Sequence, residues 1–198
     1  TPWVSGPLPA CDSPGPQFGP VALADQHGGV FLAFEDQRAP AVSATDIYMQ
    51  RVSPSGMSSP GGILVCDWGN NQTNPALTIS AADAVIVAWE DARKGSIHRV
   101  YAKQMTGLGS PVSDTTHVGM GWGPGGTGVT CDPLETCGTC PPTEQETRPA
   151  IATDGQNGCI VVWEDVQGSS YGVHAQRIAS DASLAWGACA IQVATTSI

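Results

Sequence analysis

Val85-Ile86-Val87-Ala88-Trp89 is an unbroken apolar run closed by an aromatic residue, then Glu90, Asp91 and, two residues on, Arg93. The arrangement recurs as Val30-Phe31-Leu32-Ala33-Phe34 before Glu35, Asp36 and Arg38. It recurs again as Cys159-Ile160-Val161-Val162-Trp163 before Glu164 and Asp165, with Gln167 where the Arg would stand. Upstream of the first run, Pro20-Val21-Ala22-Leu23-Ala24-Asp25 turns at His27-Gly28-Gly29, and two apolar runs joined by such a turn predict a β-hairpin. A third strand is predicted over Asp46–Val52, and it recurs at Val100–Met105 and Val173–Ile178. Gly62–Val65 adds a fourth strand to the first unit, and Ala190–Val193 a last strand near the end of the chain.

The spacing between the units is regular. Pro20 to Phe34, Pro75 to Trp89 and Pro149 to Trp163 are each 14 residues apart. The loop before the third strand shortens from 12 residues (Asp36 to Tyr48) to 10 (Asp91 to Tyr101) to 9 (Asp165 to His174). Length change confined to a loop between matched strands marks a true repeat. The units are expected at about 20–66, 75–112 and 149–193, with an insertion loop over about 113–147, all in one domain spanning 1–198. A four-stranded antiparallel unit whose second strand is apolar on both faces cannot bury itself. Stacking copies face to face solves this, so the expected fold is all-β and β-propeller-like, with three repeats of four-stranded blades.

These motifs resemble the propeller-type repeats of secreted and surface bacterial proteins, which read roughly Pro-x-Ile, Gly-Gly, Val-Trp-Glu-Asp-x-Arg and Asp-Ile-Tyr-Ala-Gln-Arg. The first two repeats match well, while the third departs at Gln167 and Gly172. The resemblance covers about 20–110 and 149–193 and implies a fold and an extracellular or cell-surface location, without implying a reaction.

Composition supports short strands joined by turns, with 24 Gly, 16 Pro and only 13% charged residues. The net charge of -10 and pI near 4.5 argue against a nucleic-acid partner, and no apolar run is long enough for a membrane-crossing helix. Of the seven cysteines, Cys11, Cys66, Cys131, Cys137, Cys140 and Cys189 are expected in disulfides, leaving Cys159, inside an apolar run, as a buried thiol.

The candidate residues divide by setting. Phe34, Asp36, Arg38, Trp89, Asp91, Arg93, Trp163 and Asp165 recur in register and are expected to be scaffold, with each Asp pairing its Arg at the blade corner. Trp68 and Trp122 lie among Gly, Asn and Pro and are the candidates for contact with a glycan or a partner protein. Adjacent carboxylates on a strand point to opposite faces, so Glu90 and Asp91 cannot together flank one bond. Asp132, Glu135, Glu144 and Glu146 offer oxygen ligands for calcium without the spacing of a calcium loop, so no cofactor is expected. The functional expectation is a non-enzymatic, self-associating structural subunit, as of an extracellular filament. A carbohydrate-binding module and a fragment of a propeller glycosidase are the alternatives.

Overall fold

The computed structural model describes residues 9–38, 45–81, 84–93, 95–106, 127–129, 145–187 and 190–197. They form three antiparallel sheets and, among the described residues, no helix. The first sheet holds β1 (Gln17–Ala24), β2 (Val30–Asp36) and β3 (Asp46–Ser53), with β4 (Gly56–Met57) and β5 (Ile63–Cys66) both paired to β3. The second runs β6 (Gln72–Ala81), β7 (Ala84–Asp91), β8 (Arg99–Thr106) and β9 (Thr127–Gly128). The third runs β10 (Gln145–Thr153), β11 (Cys159–Gln167), β12 (Ser170–Ile178) and β13 (Ile191–Ser197). The fold is β-propeller-like, as expected, and two of the sheets have the expected four strands. The first has five, because the Ser53–Gly56 turn adds a short strand of its own.

The expected repeat boundaries start late. Each first strand begins before its proline, and the ladder slips between Phe18 and Val21, Thr73 and Ala76, and Thr147 and Ala150. The residue before each proline has positive φ: Gly19 at 58°, Asn74 at 52° and Arg148 at 53°. A bulge with one left-handed residue interrupts the alternation that sequence reading depends on. The segment read as an insertion over 113–147 therefore ends inside β10.

The apolar run of β7 is buried from both sides, and its parity assigns each residue a neighbour. On β7, Val85, Val87 and Trp89 join Phe31, Ala33, Ile47 and Met49 in one core between the first and second sheets. Ile86 and Ala88 join Cys159, Val161, Trp163 and Ile178 in a second core between the second and third sheets. A strand facing two cores has no polar side to alternate with, which is why the run is continuous. No strand of the first sheet packs comparably on a strand of the third among the described residues.

The turn joining the first two strands is clamped alike in the outer sheets. Asp25 accepts the amides of His27 and Gly29 and the Arg51 guanidinium, while Asp154 accepts those of Gln156 and Gly158 and the Arg177 guanidinium. A side chain at Gly29 or Gly158 would meet the clamping carboxylate and the backbone of the third strand.

Candidate functional site

The repeated Glu-Asp pair splits between two jobs, as strand geometry requires. The glutamate faces the next sheet. Glu35 accepts the backbone N–H of Asn74, the left-handed residue of the second sheet, at 3.0 Å. Glu90 accepts the equivalent N–H of Arg148 in the third at 2.6 Å, and Asn74 Nδ2 at 2.7 Å. The bulge turns its N–H out of its own ladder, and the preceding sheet supplies a carboxylate for it. Glu35 and Glu90 are both buried. Burial pushes the Glu35 carboxyl above the usual range, the Asn74 amide pulls it down, and the Glu90 charge adds to the rise. A backbone latch runs alongside: Gln72 N–H donates to Thr45 O at 2.8 Å, and Glu146 N–H to His98 O at 3.2 Å.

The aspartate faces the other way, into an aromatic column. Asp91 Oδ2 accepts Arg93 Nη2 at 2.5 Å and Trp89 Nε1 at 2.9 Å. The guanidinium lies 3.7 Å over the Tyr101 ring and 5.0 Å from that of Trp68. In the first sheet, Asp36 holds Arg38 through Nε and Nη2, and Arg38 lies 3.7 Å over Tyr48. Asp36–Arg38 and Asp91–Arg93 thus pair at corresponding corners of the first and second sheets. In the third sheet the Arg is missing, and His174, in the place of Tyr48 and Tyr101, brings Nδ1 to 3.2 Å from Asp165 and packs edge-on to Trp163. The substitution at Gln167 is the sequence signal for this change. The His174–Asp165 contact itself needs the strand register.

Trp68 is 52% exposed, with Arg93 against its ring. It is an indole presented to solvent and held by a cation–π contact. Trp122 lies outside the described residues, as do Cys131, Cys137, Cys140, Cys189, Asp132, Glu135 and Glu144. The disulfide expectation fails for Cys11 and Cys66, which are free thiols. Each sits against the repeated Arg instead: Arg38 Nη2 is 3.4 Å from Cys11 Sγ, and Arg93 Nη2 is 3.7 Å from Cys66 Sγ. Both cysteines precede their repeat by the same interval and serve the corner. Sequence alone reads that regularity as readily for a disulfide framework. Cys159 is a buried free thiol, as expected. Among the described residues no cluster of three or more His, Cys, Asp or Glu could hold a metal. No described helix is long and apolar enough to cross a membrane.

The two larger described hollows lie at opposite ends of the row of sheets. One, of about 300 Å³, is lined by Glu164, Tyr171, Gly172, Val173, Ala194 and Thr195 on the third sheet. The other, of about 230 Å³, is lined on the first sheet by residues that include Cys11, Gln17, Phe18, Pro20, Leu32 and Phe34.

No family model and no curated protein matches the chain. Solved structures do. An endo-1,4-beta-xylanase from Bacteroides thetaiotaomicron aligns with a TM-score of 0.52 and 8% identity, over 96% of this chain and 62% of its own. A GH43 endo-arabinanase from Bacillus licheniformis aligns at 0.47 and 9%, over 90% and 59%. An alpha-L-arabinanase from Penicillium chrysogenum aligns at 0.45 and 11%, over 92% and 58%. This chain thus spans under two thirds of the length of the xylanase whose fold it shares. The expectation of a non-enzymatic protein is overturned by that match: the fold is one that carries a glycan-cleaving enzyme. A propeller assembles its surfaces from several blades, so a functional group need not recur within each repeat.

Proposed function

We propose that these sheets are consecutive blades of a carbohydrate-active propeller enzyme, a glycoside hydrolase whose ring needs blades beyond the described three. The observation that carries this reading is the shared fold with the endo-1,4-beta-xylanase, which takes in nearly all of this chain but only 62% of the enzyme. Two structural points support it. Among the described residues, the row of blades ends at both sides on faces that the repeat elsewhere covers. Trp68 gives a fixed, exposed indole of the kind on which a sugar ring stacks.

The described carboxylates limit which groups could act. Glu35 and Glu90 meet across a blade boundary, but both are buried and bonded to the backbone of the next blade. A substrate cannot reach them, so their role is to hold blades together. Glu164 is the repeat's accessible glutamate.

Reducing-sugar release from β-1,4-xylan and from arabinan by the protein at its native length tests the reading. Turnover is expected on at least one of them. Trp68→Ala is expected to raise KM about tenfold or less while leaving kcat unchanged, since a stacking contact of this kind contributes about 1 kcal/mol. Absence of turnover on both polysaccharides and on a panel of aryl glycosides would remove the proposal.

A further inference from the structure

The third blade departs from the other two around its corner aspartate. In the first two blades that aspartate holds an arginine two residues on, and the guanidinium lies 3.7 Å over the tyrosine of the third strand. Asp165 stands in the same register, but Gln167 takes the place of the arginine and His174 that of the tyrosine. Gly172 lies opposite Asp165, where Asp46 lies opposite Asp36 and Arg99 opposite Asp91. Three positions around one carboxylate have changed together.

The exchange leaves the corner open. A hollow of about 60 Å³ is lined by residues that include Asp165, Ser170, Gly172, His174, Gln192 and Thr195. The Asp165 side chain is 3% exposed, and its Oδ2 lies 3.2 Å from His174 Nδ1. The other ring nitrogen, Nε2, borders the space over Gly172, 3.7 Å from where a Cβ would stand. Trp89 Nε1 donates to Asp91 Oδ2, whereas the buried Trp163 Nε1 has no partner among the described residues. The corner does not belong to an end of the row. Cys159, Val161 and Trp163 share the parity of Asp165, and they pack with Ile86 and Ala88 of the second sheet.

The sequence has no arginine to spare for this place. Its six arginines are all described, and each is paired with another carboxylate: Arg38 with Asp36, Arg51 with Asp25, Arg93 with Asp91, Arg99 with Glu146, Arg148 with Glu164 and Arg177 with Asp154.

We propose that the third corner receives an arginine side chain from a partner polypeptide, its guanidinium bonding Asp165 and lying against His174 as Arg38 and Arg93 lie in their own blades. A planar guanidinium can bond a carboxylate and stack on a ring at once, which an ammonium cannot. Ser170, Gln192 and Thr195 bring side-chain oxygens to the same hollow as further acceptors. The proposal is independent of the glycosidase reading.

Calorimetric titration of the native-length protein with Nα-acetylarginine amide tests this, with Nα-acetyllysine amide as the control for charge alone. Saturable binding of the arginine compound is expected, with the lysine compound weaker by about tenfold or more. Asp165→Asn is expected to weaken arginine binding by about tenfold or more. Gln167→Arg is expected to abolish it, because the chain then fills its own corner, and to raise the thermal transition. Thermal unfolding reports whether each variant is folded, and Gln167→Arg, which removes none of the bonds above, decides the matter if Asp165→Asn is not. The proposal is overturned if the arginine compound shows no saturable binding, as when an arginine of the same polypeptide already occupies the corner, or if the two compounds bind alike. It is equally overturned if either folded variant binds the arginine compound as the unmodified chain does.

Discussion

At the scale of residues, the strongest local interaction is the bidentate or charge-assisted corner formed by each aspartate. The Asp91 side chain is fully buried and that of Arg93 is 9% exposed. Arg93→Ala removes the partner from a buried carboxylate, and a loss of about 3 kcal/mol or more is expected in urea denaturation. Arg148→Gln breaks a pair whose side chains are 74% and 43% exposed, so a change within about 0.5 kcal/mol is expected from the same measurement. Acid titration separates two kinds of carboxyl. Burial opposes ionisation of Asp25 and Asp154, but the turn amides and the paired arginine outweigh it and hold both below the ordinary value of 3.8. Their stabilising contribution is therefore complete above that value and lost as pH falls below it. Asp154→Asn is expected to lower stability at pH 7 and to flatten the loss on acidification. Glu35 has the opposite sign, since its pKa lies above 4.5. The unfolded chain releases that proton first, so stability is lost as pH rises from 4.5 through the raised value. Glu35→Gln keeps an oxygen for the Asn74 amide, and its stability relative to the unmodified chain is expected to be higher at pH 7 than at pH 4. The Asp-Arg corners were legible because both members lie within two residues of each other. The turn clamps at Asp25 and Asp154 were not, because their arginines, Arg51 and Arg177, arrive from the third strand.

At the scale of elements, the second strand of each blade was legible almost to the residue, since five consecutive apolar residues have few other uses. The first strand was legible only after its proline, because the left-handed residue before it breaks the period of two. What the thiols do was not legible: equal spacing of Cys11 and Cys66 follows from a blade corner as well as from a disulfide framework. Their burial separates them chemically. Desolvation pushes the Cys66 thiol up to about 11, and that of Cys159 up to about 12. Cys11 is only partly buried. Mass spectrometry after brief iodoacetamide treatment at pH 8 is expected to find Cys11 alkylated and Cys66 and Cys159 protected until the chain is unfolded. Early alkylation of Cys66 would mean that the corner opens without global unfolding.

At the scale of the whole molecule, each blade supplies half of a core, and the carboxylate of one blade completes the backbone of the next. The repeat announced the fold because stacking is the way such sheets bury both faces. It is silent on function, because a surface on a propeller draws on several blades at once and leaves no signature inside one. The central physical claim is that the repeated glutamate stabilises through the following blade and contributes little to its own. Glu90 and Glu164 occupy the same place in successive repeats, one with a following blade and one with none among the described residues. Urea denaturation of Glu90→Ala and Glu164→Ala tests this directly. A loss of about 2–3 kcal/mol is expected for Glu90→Ala, which takes the acceptor from both the Arg148 amide and Asn74 Nδ2. A change within about 0.5 kcal/mol is expected for Glu164→Ala. Equal losses at the two positions would contradict the account.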